Sequence, residues 1–433
     1  MMAVMAFARI MVNHATATEP SSRDPMTAVR TALRDFWCLS STRSASSDTS
    51  RSGVGKAATT TLRHSRAGGR PQSDGLSADD REEVYWVIDD HFAVEGWEMP
   101  QLSVPIIDIG PYWTGGEAGK RDVAAAVDRA CRDTGFLVIS GHGIAPEMVE
   151  ETREVARDFF DLPLEEKLRV VQPAPNVSRG YTRLGGEAVA RSRGASAAVG
   201  DLNETLIIGP VDPVDLAYAT AAAAGQHFAA NLWPERPAEL RPVLTRYYRA
   251  VSELAQILMR IFALGLGLDE RFFDDKIDRH ISRLRIRNYP AQTTKPLPGQ
   301  LRAGAHSDYG SLTILAAEDK PGGLQVCSAT GCWVDVPVIP GCFIVNLGDL
   351  MARWTNDAWV STLHRVVNPP EDAGPESRRM SLVFFHNPNY DAPVACIPTC
   401  LRPGDAPKYD PTTSGEHLRR LFVATQLTAP QPG

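Results

Sequence analysis

The run GAHSDYGSLTIL, Gly304–Leu315, decides how this chain reads. It sets His306 and Asp308 two residues apart in a Gly- and Ser-containing loop, and the β-branched, apolar texture of a strand follows at once. A third donor, His364, stands 56 residues after Asp308 in STLHRVVNPP. Two imidazoles and one carboxylate occupy one face of an octahedral ion and leave the other face open. These are hard or borderline donors that suit Fe(II), whereas thiolates would turn the site towards zinc or clusters.

Working outward, Arg379 and Ser381 follow in RRMSLVFF, a run with the composition of a strand. Residues i and i+2 of a strand share a face, so both side chains reach into one cavity. A guanidinium fork beside a hydroxyl is suited to a carboxylate, which implies a small dicarboxylate next to the metal. Arg378, one residue earlier, falls on the opposite face and is expected to be solvated. From residue 280 onward, short strands broken by Gly and Pro recur at roughly ten-residue spacing, the pattern of an all-β sandwich or barrel. Facing strands of a barrel can bring His306, Asp308, His364, Arg379 and Ser381 to one mouth.

These segments resemble the 2-oxoglutarate- and Fe(II)-dependent dioxygenase superfamily, in particular its isopenicillin N synthase-like branch. The likeness extends from about Val104 to about Val394. It begins with VPIIDIGPY (Val104–Tyr112), ACRDTGFLVISGHGI (Ala130–Ile144), ARDFFDLPLEEK (Ala156–Lys167), RGY (Arg179–Tyr181) and DLNETLIIG (Asp201–Gly209). It continues through RNYP (Arg287–Pro290), GGLQV (Gly322–Val326), WVDVP (Trp333–Pro337), VNLGDLMARWTN (Val345–Asn356) and RRMSLVFFHNPNYDAPV (Arg378–Val394). The resemblance implies a mixed α+β fold, with a double-stranded β-helix (jelly-roll) core and supporting helices. It implies Fe(II) on His306, Asp308 and His364, with 2-oxoglutarate as cosubstrate held by Arg379, Ser381 and Tyr289. It implies consumption of O2, oxidation of a small-molecule substrate by hydroxylation or desaturation, and release of succinate and CO2. An oxidase of the isopenicillin N synthase type that uses no 2-oxoglutarate, and an ethylene-forming enzyme, carry the same motifs. A jelly roll that only senses a small acid would be expected to lack a metal ligand, and none is lacking. Relatives often carry Asn where this chain has Arg287, on the same face as Tyr289.

Composition agrees with a folded enzyme. The chain has 433 residues, 43% hydrophobic, and a formal net charge of −7. It holds no Lys/Arg-rich run that would point to nucleic acid and no apolar run near the ~18 residues that span a bilayer. Seven cysteines in no framework spacing, with Cys396 and Cys400 as a lone C-x-x-x-C, read as reduced thiols of a cytoplasmic protein. A monomer or weak homo-oligomer is expected.

Residues 1–75 hold ten Lys and Arg against five Asp and Glu and almost no apolar periodicity. Residues 1–98 therefore read as a low-complexity or disordered extension, with an amphipathic pattern at 80–98 and a possible true start near Met99. Residues 99–270 read as the N-terminal helical and mixed part, and 271–425 as the jelly-roll core. Helices are expected over Arg121–Thr134, about Pro146–Phe160 and 239–266, and a buried strand over Phe136–Ser140.

Several further residues have a structural and a functional reading. Asn346 and Asp349 read as turn and strand support, and His142 as a satisfied core histidine. His386 reads as a cap on the Asn-Pro bend, and Trp354 and Phe385 as core aromatics that could line the substrate chamber. The loops at Asn176–Asp201 and after Pro290 are expected to line the pocket.

Overall fold

The computed structural model describes residues 103–174, 177–193, 199–221 and 225–427. The expected N-terminal extension, with its helical pattern at 80–98, lies outside them.

Twelve strands build two sheets. They are β1 (Ile106–Asp108), β2 (Phe136–Ser140), β3 (Gly180–Thr182), β4 (Glu204–Ile208), β5 (Arg283–Tyr289) and β6 (Ala303–His306). Then come β7 (Leu312–Ala317), β8 (Leu324–Cys327), β9 (Trp333–Asp335), β10 (Phe343–Leu347), β11 (His364–Val366) and β12 (Arg379–His386). The larger sheet runs β1-β2-β10-β7-β12-β5-β4-β3 and the smaller β6-β11-β8-β9. Strands β5 to β12 divide four and four between the sheets and form the expected jelly roll. β1 and β2 extend one edge of the larger sheet, and β3 and β4 the other.

Strand alternation sorts the side chains into two cores. Met380, Leu382 and Phe384 of β12, with Leu284 and Ile286 of β5, pack towards the helices. Val383 and Tyr289, from the intervening positions, join Val326 and Val366 of the smaller sheet between the two sheets. The helix-side core is closed by α1 (Gly116–Asp133), α2 (Pro146–Phe160) and α3 (Leu240–Gly265). α1 begins five residues before the expected Arg121, because its first turn, GEAGK, carries no apolar stripe to read. α3 buries Leu244, Val251, Leu258 and Phe262 completely. Truncating a residue such as Leu258 to Ala would cost ~2–5 kcal/mol in transfer and cavity terms.

Two glycines fix how the chain enters the site. Gly135 ends α1 at φ +66°, and a Cβ there would lie 2.1 Å from the carbonyl of Val360, in the segment leading to His364. Gly348 approaches so closely that a Cβ would lie 2.2 Å from the carbonyl of Gly310, in the loop after Asp308. The backbone of Gly348 donates to Ser311 and that of Asp349 to Asp308, at 3.1 and 2.7 Å. Those contacts hold the loop after β6 against the end of β10.

Candidate metal and cosubstrate site

β6 and β11 are antiparallel neighbours with His306 directly opposite His364, so both imidazoles emerge on one side with centroids 4.3 Å apart. Asp308 follows in the loop. Its Oδ1 lies 3.9 Å from Nε2 of His306 and 3.7 Å from Nε2 of His364. Those separations are too long for hydrogen bonds. The three donor atoms lie within 4.8 Å of one another and could hold one metal ion.

Each donor is oriented by a second contact. Nδ1 of His306 lies 2.8 Å from the Gly304 carbonyl, and Nδ1 of His364 lies 3.1 Å from that of Thr362. A carbonyl only accepts, so each Nδ1 carries the proton and each Nε2 keeps its lone pair for a metal. Oδ2 of Asp308 accepts from Thr313 Oγ1 at 2.6 Å and from Asn346 Nδ2 at 2.7 Å, which turns Oδ1 towards the histidines. Burial, first of all, holds His306 below its usual range and therefore neutral. Burial pushes the Asp308 carboxyl up, but His364, His306, Asn346 and Thr313 together outweigh it and hold it down. His306 and Asp308 thus stand in the protonation states that bind metal.

The cosubstrate candidates sit on the paired strands β12 and β5. Arg379 opposes Tyr289, and Ser381 opposes Arg287. Arg379 donates from Nη1 to Ser381 Oγ at 2.9 Å and from Nε to the Glu318 carbonyl at 3.2 Å, with its guanidinium 5.3 Å from the Tyr289 ring centroid. Its Nη2 is buried and has no hydrogen-bond partner among the described residues. One cavity is lined by His306, Asp308, His364, Tyr289, Arg379 and Ser381 together. A buried guanidinium with a fork half unused fits a dicarboxylate, and the donor set fits Fe(II).

Arg378 is directed away from this cavity and pairs with Asp161 at 2.8 Å, as strand alternation requires. His142 is satisfied by the Gly341 carbonyl and the Ile144 amide at 2.9 and 3.2 Å, in keeping with a structural role. Asp349 likewise braces the site, accepting from Ser361 and Ser307 at 2.7 and 3.2 Å. Trp354 is core, its indole donating to the Pro393 carbonyl at 3.2 Å.

Three readings change. Asn346 is more than strand support, because it holds the Asp308 carboxylate. His386 caps no bend: it is the last residue of β12, faces the helices and bonds Ser311 Oγ at 2.7 Å. Phe385, expected in the core, lines both the cosubstrate cavity and a larger one beside it. Sequence reasoning also passed over Arg302, Arg283 and Arg285. The Arg302 guanidinium lies 5.6 Å from the Tyr289 ring centroid, so that ring is flanked by two cations. The other two repeat the i, i+2 spacing that joins Arg287 to Tyr289 in RLRIRNY, and that spacing was the available signal.

Comparison with known proteins agrees with this geometry. Residues 104–236 match the family model for the N-terminal part of the non-haem dioxygenase in morphine synthesis, and residues 280–388 match that of the 2OG-Fe(II) oxygenase superfamily. A 2-oxoglutarate-Fe(II) type oxidoreductase of Emericella nidulans is 34% identical over 332 residues, 75% of this chain and 90% of that protein. A homoarginine-6-hydroxylase of Oryza sativa subsp. japonica is 32% identical over 73% of this chain and 95% of its own length. Among solved structures, a full-length Neurospora crassa protein in complex with alpha-KG superposes with a TM-score of 0.65 at 33% identity, over 74% of this chain and 96% of that one. The chain belongs to the 2OG-Fe(II) oxygenase superfamily. It is an Fe(II)- and 2-oxoglutarate-dependent dioxygenase acting on a small molecule, with O2 as a further cosubstrate.

Proposed function

We propose that His306, Asp308 and His364 hold the Fe(II), and that Arg379, Ser381 and Tyr289 hold 2-oxoglutarate through its distal carboxylate. The observation that carries the second assignment is the unpartnered, buried Nη2 of Arg379 in a cavity shared with the three donors. When bound, Fe(II) and 2-oxoglutarate supply oxidation of the substrate by O2, coupled to release of succinate and CO2.

The chain's own residues do the positioning. His306 and His364 present lone pairs because their Nδ1 protons are tied to backbone carbonyls. Asp308 presents one oxygen because Thr313 and Asn346 occupy the other. Ser381 and the Glu318 carbonyl fix the Arg379 fork, so a carboxylate docks without a further search of rotamers. The Val383 and Leu315 side chains keep the cavity walls dry, which strengthens the charge pairing inside.

The narrower placements are also ours: the isopenicillin N synthase-like branch, the division into residues 99–270 and 271–425, a monomer or weak homo-oligomer, and the cytoplasm. Unbridged thiols at Cys131, Cys342, Cys396 and Cys400 support the last. Among the described residues no helix is long and apolar enough to cross a membrane.

The test is succinate formation by the Fe(II)-loaded protein with 2-oxoglutarate, alongside His306→Ala. Slow O2-dependent succinate that disappears in the variant is the expected result. No succinate, together with no 2-oxoglutarate-induced metal-to-ligand absorption band under anaerobic conditions, overturns the assignment.

A further inference from the structure

The last residue of β7, Ala317, stands opposite Ser381 of β12, so the next pair in register is Glu318 with Met380. Facing residues of an antiparallel ladder exchange either two backbone bonds or none. Glu318 makes one of the two, its amide donating to the Met380 carbonyl at 3.3 Å. The return bond is made differently. The Met380 amide donates to Oε2 of the Glu318 side chain at 2.6 Å. The Glu318 carbonyl, which the ladder would have given to that amide, accepts instead from Nε of Arg379 at 3.2 Å.

This exchange is braced from the helix side. The Glu318 side chain is only 10% exposed, and its Oε1 accepts from Nη2 of Arg157 on α2. Arg153, one turn earlier on α2, donates from Nη2 to the Ala317 carbonyl at 3.0 Å. Two arginines of one helix therefore hold the end of β7, one through its backbone and one through the carboxylate. On the cosubstrate side, Nε and Nη1 of Arg379 are bound to the Glu318 carbonyl and to Ser381 Oγ. Its Nη2 is the buried nitrogen with no hydrogen-bond partner among the described residues. Because the guanidinium is planar and its donors form a rigid fork, the other two bonds set the direction in which Nη2 points.

We infer, resting on the cosubstrate role proposed above for Arg379, that Glu318 is a positioning residue for 2-oxoglutarate: its carboxylate takes the place of its own carbonyl in the ladder, and the carbonyl so released aims Arg379. Glu318 is not among the residues that line the cosubstrate cavity, so it acts through Arg379 alone. A buried backbone amide left unpaired is costly, so without the carboxylate the Met380 amide draws the Glu318 carbonyl back into the ladder. Arg379 then loses its anchor at Nε and is held at Nη1 only. Reach matters here and charge does not: a neutral side-chain oxygen at the same distance accepts the same bond. Arg157, partly exposed, keeps Glu150 as a partner when the charge of Glu318 is removed.

The experiment measures 2-oxoglutarate affinity of the Fe(II)-loaded protein from the anaerobic absorption band, in parallel with 2-oxobutanoate, a 2-oxo acid that lacks the distal carboxylate. Glu318→Ala is expected to weaken 2-oxoglutarate about tenfold, the amount a hydrogen bond to a charged group contributes. It is expected to leave 2-oxobutanoate unchanged, because that acid offers Arg379 nothing to hold. Glu318→Gln loses the charge and keeps an oxygen for the Met380 amide, so its 2-oxoglutarate affinity is expected to stay close to that of the unaltered protein. Glu318→Asp keeps the charge and falls short of the amide, so it is expected to follow Glu318→Ala, and it carries the test where the alanine variant does not fold. An unchanged 2-oxoglutarate affinity in the shortened variants overturns the inference. So does an equal loss for the two 2-oxo acids, which marks general damage to the sheet, and so does a loss in Glu318→Gln as large as in Glu318→Asp. An unchanged 2-oxoglutarate affinity in Arg379→Met is a different failure: it removes the cosubstrate role of Arg379 on which the inference rests.

Discussion

Asn346 donates its side-chain amide to Oδ2 of Asp308 at 2.7 Å, and this bond decides which carboxylate oxygen faces the histidines. The donor comes from β10, whose register places Asn346 directly opposite Thr313 of β7. The two side chains therefore emerge together and grip the same oxygen. Partners that orient a ligand in this way are typically worth about 10–100-fold in metal affinity. Asn346→Ala should weaken Fe(II) or Co(II) binding by that order, read by metal titration, while the buried core of the larger sheet keeps the protein folded. An unchanged affinity would mean that Thr313 alone suffices.

Arg379 carries a different expectation. Removing one partner of a buried charge pair costs ~3–5 kcal/mol, a factor of about a hundred to a few thousand in affinity. Arg379→Met should therefore nearly abolish 2-oxoglutarate binding, read from the anaerobic absorption band, and leave metal affinity within a few-fold. The same substitution should leave the protein without cosubstrate as stable as before, or raise its Tm. Burial lowers the Arg379 guanidinium below its usual range, and its Nη2 has no hydrogen-bond partner among the described residues. Replacing an uncompensated buried cation with an apolar chain of similar size removes that cost. A gain in Tm with a loss of binding would mark Arg379 as kept for function.

The neighbouring Arg378 provides the contrast. It pairs with Asp161, on the other face of β12, with a third of its side chain exposed. Partly exposed pairs of this kind contribute ~0–1 kcal/mol. Arg378→Ala should change 2-oxoglutarate affinity less than about twofold, within the noise of a surface substitution. A large loss would mean that β12 shifts by one residue in solution, exchanging the two arginines.

The contrast between Asn346 and Arg379 also explains what the sequence could disclose. Arg379 and Ser381 were legible because their relation is local: two positions on one strand must share a face. His306 and Asp308 were legible because they stand two residues apart in one Gly- and Ser-containing loop, and His364 through its apolar setting in STLHRVV. Asn346 and Thr313 meet only through the pairing of β10 with β7, which no local pattern specifies. Arg302 is another such case: it reaches the Tyr289 ring from the segment before β6 and is anchored by the Pro321 carbonyl at 2.8 Å. The arginine row on β5 was visible in principle, as the alternation in RLRIRNY. Only the register of β5 with β12 shows that it faces the cavity, because Ser381 lies opposite Arg287. His386 was misplaced by its neighbours Asn387 and Pro388, which suggest a turn, although the strand runs one residue further.

Acid should destabilise the protein through histidines that take no part in the metal site. Burial, then Arg283 and Arg179, holds His227 near 3, and burial holds His280 near 4. Burial, then His280, holds His386 well below its ordinary range. The rings of His280 and His386 lie 5.7 Å apart, so protonating one opposes protonating the other. In the unfolded chain each titrates near 6.5. The unfolded state therefore binds more protons between those values, and stability must rise with pH across that window. It is fully present above about 6.5 and is lost as pH falls towards 4, each group contributing at most ~1.4 kcal/mol per pH unit. Urea midpoints of the metal-free protein should fall steeply from pH 6.5 to 4.5. His386→Gln keeps a side chain that can bond Ser311 Oγ and removes one titrating group, so its midpoint should fall less steeply over the same range. If the two slopes coincide, His386 is not held neutral in the folded protein, and the acid sensitivity arises from other groups.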